Sequence, residues 1–157
     1  MIRAIVLEDS LDPGRELAVL TAKAGGAGGL VNFVGLAREE EGRVAELVLE
    51  YHPVLTQRSL EQIAAAAFER FSVTAVSVVH RVGSIQPDEP IVFAGAAAKH
   101  RRDAFLAADY LMDMLKTRAV FWKREEGSGG TRWVEPREQD LCDAARWRAS
   151  NHKETTR

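Results

Sequence analysis

The chain predicts an α+β fold with a mixed or antiparallel sheet and about three helices, on three observations. Strand-like segments follow one another in pairs with no helix between them: 30–36 with 44–51, 73–82 with 91–98, and 119–125 with 131–135. Such adjacent pairs favour α+β over a purely parallel sheet. Clear helical periodicity is confined to three separated stretches. A length of 157 residues with 46% hydrophobic content suits one domain with a real core, taken as residues 1–149, with 150–157 read as a frayed tail.

The elements follow in order. Residues 2–7 are β-rich. Asp12-Pro13 offers an N-cap followed by proline at the first helical position, and Leu17, Leu20 and Ala24 continue that helix. The run Gly25-Gly26-Ala27-Gly28-Gly29 ends it. That run lacks the Lys-Ser/Thr of a phosphate loop and follows a helix, so it reads as a connection. Leu30 to Leu36 is a second strand, 38–43 a charged turn, and 44–51 alternates as a strand with one wet face. Leu60, Ile63, Ala64, Ala67, Phe68 and Phe71 give the second helix, with Ser59 and Gln62 resembling a capping box. Residues 73–82 and 91–98 are strands around a Pro87–Pro90 loop, and a third helix spans about 102–116. Residues 119–125 and 131–135 form a hairpin around Gly127-Ser128-Gly129-Gly130, and a short helix follows Pro136.

Composition excludes several classes. A net charge of -2 argues against a general nucleic-acid coat, and no apolar run is long enough to span a membrane. The N-terminus turns acidic too soon for a secretory signal, so a cytoplasmic location is expected. Cys142 is the one cysteine, and His52, His80, His100 and His152 show no ligand spacing. Neither a metal nor a cofactor is therefore expected. His52 and His80 are expected to be packed or hydrogen-bonded. Asp140 and Asp143 disfavour a Cys142 thiolate, so that residue is taken as non-catalytic.

Charge is unevenly placed. Seven Lys or Arg residues against three Asp leave +4 between Lys99 and Arg124. Concentrating like charge costs self-repulsion, which a fold tolerates where it handles an anion. His100 and Arg101 lie where a strand meets a helix, a place that attracts anions and repels cations. Lys116 falls near a helix end, where a cation is welcome for structural reasons alone. Lys123 lies on a strand, sharing a face with Phe121 while Trp122 points away. A desolvated lysine among cations has a lowered pKa and suits acid, base or nucleophilic work. Arg118 and Arg124 read equally well as phosphate ligands or surface charges.

Six segments together resemble the large, catalytic subunit of molybdopterin synthase. They are Phe33-Val34-Gly35-Leu36-Ala37-Arg38, Leu49-Glu50-Tyr51-His52-Pro53, His80-Arg81-Val82-Gly83, His100-Arg101, the block Leu115 to Glu125, and Arg132-Trp133-Val134-Glu135. The resemblance covers roughly residues 2–148 and is most specific at Lys116-Thr117-Arg118-x-x-Phe121-Trp122-Lys123. It implies an α/β-hammerhead type of fold and a homodimer of large subunits. Each would bind a small ubiquitin-like sulfur carrier, giving a heterotetramer. The carrier's Gly-Gly thiocarboxylate would donate two sulfurs to cyclic pyranopterin monophosphate. Lys116 and Lys123 match essential lysines, the first meeting the thiocarboxylate and the second serving substrate binding and proton transfer. His100 and Arg101 match phosphate- and pterin-binding residues contributed across the dimer. Arg38 and Arg137 match pocket arginines, and Phe33 and Met112 apolar walls. Three positions depart from the pattern: Val120 stands where many relatives have proline, Lys99 replaces a small residue, and Glu39-Glu40-Glu41 is unusually acidic. A rival of another class is a small α+β RNA-binding module using the basic-aromatic patch.

Overall fold

The computed structural model describes residues 1–38 and 44–148. The acidic Glu39–Glu41 segment and the tail from 150 lie outside the described residues. Among the described residues thirteen elements follow one another. They are β1 (Ile2–Leu7), α1 (Pro13–Lys23), β2 (Gly29–Leu36), β3 (Val44–Tyr51), α2 (Pro53–Arg70), β4 (Val73–Arg81) and β5 (Gly83–Ile85). Then come β6 (Pro90–Ala98), α3 (Arg101–Thr117), β7 (Phe121–Gly127), β8 (Gly130–Val134), α4 (Glu138–Ala145) and a 3-10 turn (Arg146–Arg148). The class is α+β, as expected. The described residues hold four α-helices, one more than the count of three.

The strands form two four-stranded sheets. The first, ordered β1-β4-β6-β2, is mixed: β1 runs parallel to β4, while β6 is antiparallel to both of its neighbours. The second, β5-β3-β7-β8, is antiparallel throughout. Helices cover both faces of the first sheet. Ala75, Val79, Phe93 and Ala97 pack with Leu20 of α1, whereas Val76, Val78, Val92 and Ala94 pack under α2 and α3. This split is the period-2 alternation of buried strands. A smaller core of Ala37, Leu49, Val82 and Ile85, with Phe121 against it, joins the sheets.

Local chemistry explains the boundaries. Asp12 caps α1 as its sequence suggests, accepting from Gly14 N–H at 2.9 Å and Arg15 N–H at 3.1 Å. The start of α2 differs from the expectation. Pro53 occupies its first turn, and His52 Nδ1 accepts from Leu55 N–H at 3.3 Å. Ser59 is therefore inside the helix and is not its cap. A proline at the first helical position sacrifices no hydrogen bond, which lets the helix begin upstream of its apolar face. Gly28 is the glycine its connection requires: an added Cβ would stand 2.4 Å from the Lys99 carbonyl oxygen. That contact brings the start of β2 beside the residue preceding His100.

Candidate active site

α3 and β7 position the two lysines. α3 ends one residue after Lys116, with Arg118 N–H bonded to the Met114 carbonyl at 2.8 Å. The chain turns and enters β7 at Phe121. Lys123 sits between Leu49 of β3 and Val134 of β8, in the interior of the second sheet. Strand alternation turns Phe121, Lys123 and Glu125 toward one cavity and leaves Trp122 48% exposed. The cavity measures about 340 Å³. Its cations are Arg38, Lys116, Lys123 and Arg137, and its carboxylates are Glu125, Glu135 and Asp140.

Lys123 is the perturbed member. Burial chiefly, with the Lys116 charge beside it, lowers its pKa to about 8, while Asp140 acts in the opposite sense. Roughly a tenth of such a lysine is neutral at pH 7, against about one in several thousand for an ordinary lysine. It can therefore both hold and release a proton near neutrality. His80 lies close by: burial drives its pKa down to about 3, and Lys123 and Lys116 add to that effect. Its Nδ1 is 2.9 Å from the Arg81 carbonyl, and its ring lies 4.2 Å from that of Phe121. The packed, hydrogen-bonded state expected of His80 is what the structure holds. His52 is likewise hydrogen-bonded, as the α2 cap.

Four of the residues singled out by sequence meet in this cavity: Arg38, Lys116, Lys123 and Arg137. His100 and Arg101 do not. They begin α3, and Lys116 ends it, so about 23 Å of helix separates them. His100 makes no side-chain capping bond there. Phe33 and Met112 border a separate groove of about 540 Å³ with Arg102, Phe105 and Asp109. Arg124 points away from the cavity and pairs with Glu50 at 2.8 Å and Glu126 at 3.0 Å. Those ion pairs account for its charge without an anion in the cavity.

Sequence reasoning gave no site role to the carboxylates Glu125, Glu135 and Asp140. Asp140 had a legible signal. It stands three residues after Arg137 at a helix start, and its carboxylate accepts the Arg137 N–H at 3.0 Å. His80 also had one: it shares parity with Val76 and Val78 on β4, which places it on the α2/α3 face.

Fold and cavity together define an α+β protein in which two lysines and two arginines line one cavity. The chain belongs to the MoaE protein family, whose model matches residues 6–118. The molybdopterin synthase catalytic subunit of Caulobacter vibrioides is 46% identical over 140 residues, covering 89% of this chain and 93% of that protein. The catalytic subunit of the same name from Pseudomonas aeruginosa is 45% identical over 144 residues, covering 90% and 96%. In three dimensions, the molybdopterin biosynthesis MoaE protein of Burkholderia ambifaria superposes with a TM-score of 0.82 at 40% identity, covering 96% of this chain and 100% of that one. Family membership removes the RNA-binding alternative.

Proposed function

We infer that this chain is the catalytic subunit of a molybdopterin synthase. It converts cyclic pyranopterin monophosphate to molybdopterin with two sulfurs from the C-terminal thiocarboxylate of a small ubiquitin-like carrier. The observation that carries the reading is the pairing of Lys116 with a half-buried Lys123 of pKa about 8 in one cavity. In each transfer sulfur replaces an oxygen on a side-chain carbon of the pterin, that oxygen leaving on the opened phosphate or as water, and a second water cleaves the carrier's acyl–sulfur bond to return the carrier as a carboxylate. Lys116, exposed at the cavity edge, meets the incoming thiocarboxylate. Lys123 supplies and accepts protons at the reacting centre, which its lowered pKa suits. Arg38 and Arg137 hold the remaining negative charge.

The length of α3 supports a dimeric site. His100 and Arg101 can join Lys116 around one small substrate only if they come from a second copy of the chain. β2 is an outer strand of its sheet, with Phe33 46% exposed near Phe105 at 59%. This apolar surface lies beside Arg102, next to the His100–Arg101 pair, and suits a second copy. The reaction is assigned to the cytoplasm. The test combines the protein, thiocarboxylated carrier and cyclic pterin, and assays for dithiolene. Product is expected with that carrier and none with carrier ending in a plain carboxylate. Failure to form dithiolene with the thiocarboxylated carrier would reject the reading.

A further inference from the structure

Lys116 and Lys123 are joined by a short turn whose last residue, Val120, is held from outside. Within the turn, Phe121 N–H bonds the Ala119 carbonyl at 3.1 Å. Val120 bonds instead to α2. Its carbonyl accepts from the Thr56 hydroxyl at 2.7 Å, and its N–H donates to Ser59 Oγ at 3.2 Å. Both hydroxyls are buried, Thr56 fully. Each is also satisfied on its other side. Thr56 Oγ1 accepts from His52 N–H at 3.1 Å, and Ser59 donates to the Thr56 carbonyl at 2.7 Å.

We propose that Thr56 and Ser59 are positioning residues of the sulfur-transfer site, clamping Val120 so that Lys123 is held against Lys116. The proposal rests on the functional reading above. Threonine and serine are indifferent helix formers, and a buried hydroxyl is costly unless bonded. A mid-helix hydroxyl ordinarily bonds back to its own helix, as Ser59 does. Thr56 sends its hydrogen instead to a residue 64 positions away. Its oxygen serves the start of α2 by accepting the His52 N–H, and its hydrogen serves Val120. Val120 also supplies an N–H that proline could not. The next residue, Phe121, is the ring that walls Lys123 and packs on His80. Loosening Val120 therefore hydrates Lys123 and changes its distance from Lys116. Besides Lys116 on α3 and His80 on β4, the charged groups facing Lys123 are Arg38 after β2 and Arg137 and Asp140 at α4. Glu125 and Glu135 face it from its own hairpin. Neither hydroxyl substitution removes any of them.

Thr56→Val keeps the shape of the side chain and deletes the hydroxyl, whereas Thr56→Ser restores it. Assayed as the full chain with thiocarboxylated carrier and cyclic pterin, Thr56→Val should lower kcat by ~10–10²-fold with little change in carrier KM. By NMR of labelled lysine side chains, the Lys123 midpoint should rise from about 8 toward the ordinary lysine range. Thr56→Ser should return both values. Ser59→Ala should move both in the same direction by less, and it decides the matter if Thr56→Val does not fold. Unchanged kcat and an unchanged Lys123 midpoint, even with a lower melting temperature, would show a merely structural role and overturn the proposal. If the unaltered protein forms no dithiolene, the functional reading fails while the titration alone still judges the clamp.

Discussion

The two ends of α3 carry the same kind of side chain in opposite settings. At the start, His100, Arg101 and Arg102 are exposed, and their charge opposes the helix dipole. At the end, Lys116 is welcomed by the dipole and lies beside a lysine whose pKa is pushed to about 8. A cation that stability does not explain is a visible hint of function, whereas a cation in a favourable place is silent. Yet the silent end holds the more unusual electrostatics. Helix position says where a charge is tolerated. Burial says what the charge can do, and burial comes from the sheets packed around it.

Removing the lysines tests that contrast most severely. Lys116→Ala and Lys123→Ala should each lower the sulfur-transfer rate by ~10²–10⁴-fold with thermal unfolding little altered. Lys123→Arg should not recover the rate, because guanidinium does not release its proton near neutrality. Near-normal turnover in either alanine variant would leave that lysine without its assigned role.

Acid titration probes how dry the lysine end is. His80 is neutral when folded, with a pKa of about 3 against the ordinary 6.5. Above pH 6.5 both folded and unfolded states carry it neutral, so it adds no pH dependence there. Below 6.5 the unfolded chain takes up a proton that the folded chain refuses until about pH 3, and stability falls across that window. The loss from this group is about 2 kcal/mol by pH 5. Denaturant unfolding at several pH values should show the decline, and His80→Phe should flatten it. An equal slope in both proteins would mean that the neighbourhood of Lys123 is wetter than described.

Subunit mixing addresses the exposed end. If His100 and Arg101 act on the partner's substrate, combining Lys116→Ala and Arg101→Ala chains should recover activity that neither has alone. In a mixed dimer one site collects both lesions and the other carries neither. An equal, fully exchanged mixture should therefore reach roughly a quarter of the unaltered rate. No recovery after verified exchange would mean that each site is built within one chain.

The smallest effect is expected at Cys142, which is exposed on α4. Cys142→Ser should keep the full rate with thiocarboxylated carrier, since sulfur arrives from the partner. Sulfur transfer without carrier that vanishes in Cys142→Ser would reverse that view.

Much of the fold was legible because its signals are local. The Asp12 cap, the alternation of β3 and the hairpin of β7 and β8 each depend on a few adjacent residues. Errors arose where local signals competed. Ser59 and Gln62 have the spacing of a cap, but Pro53 with His52 started α2 earlier and turned Ser59 inward. β5 went unread because three residues, Gly83–Ile85, carry too little pattern to distinguish a strand from a bend.

Sequence alone determined which residues share a face: strand period put Phe121 and Lys123 together and sent Trp122 outward, whatever the rest of the chain did. It also set the distance between His100 and Lys116 as soon as the stretch between them was known to be helix, because rise per residue is constant. Tertiary structure alone decided that Arg38 and Arg137 meet the Lys116–Lys123 segment, since the three come from separate places in the chain. It decided, too, that Lys123 is desolvated beside His80 and that two hydroxyls of α2 hold Val120. The physical reason is range. Periodicity and capping act over a few residues, whereas desolvation, charge proximity and the closing of a hydrogen-bond network depend on which distant segments pack together.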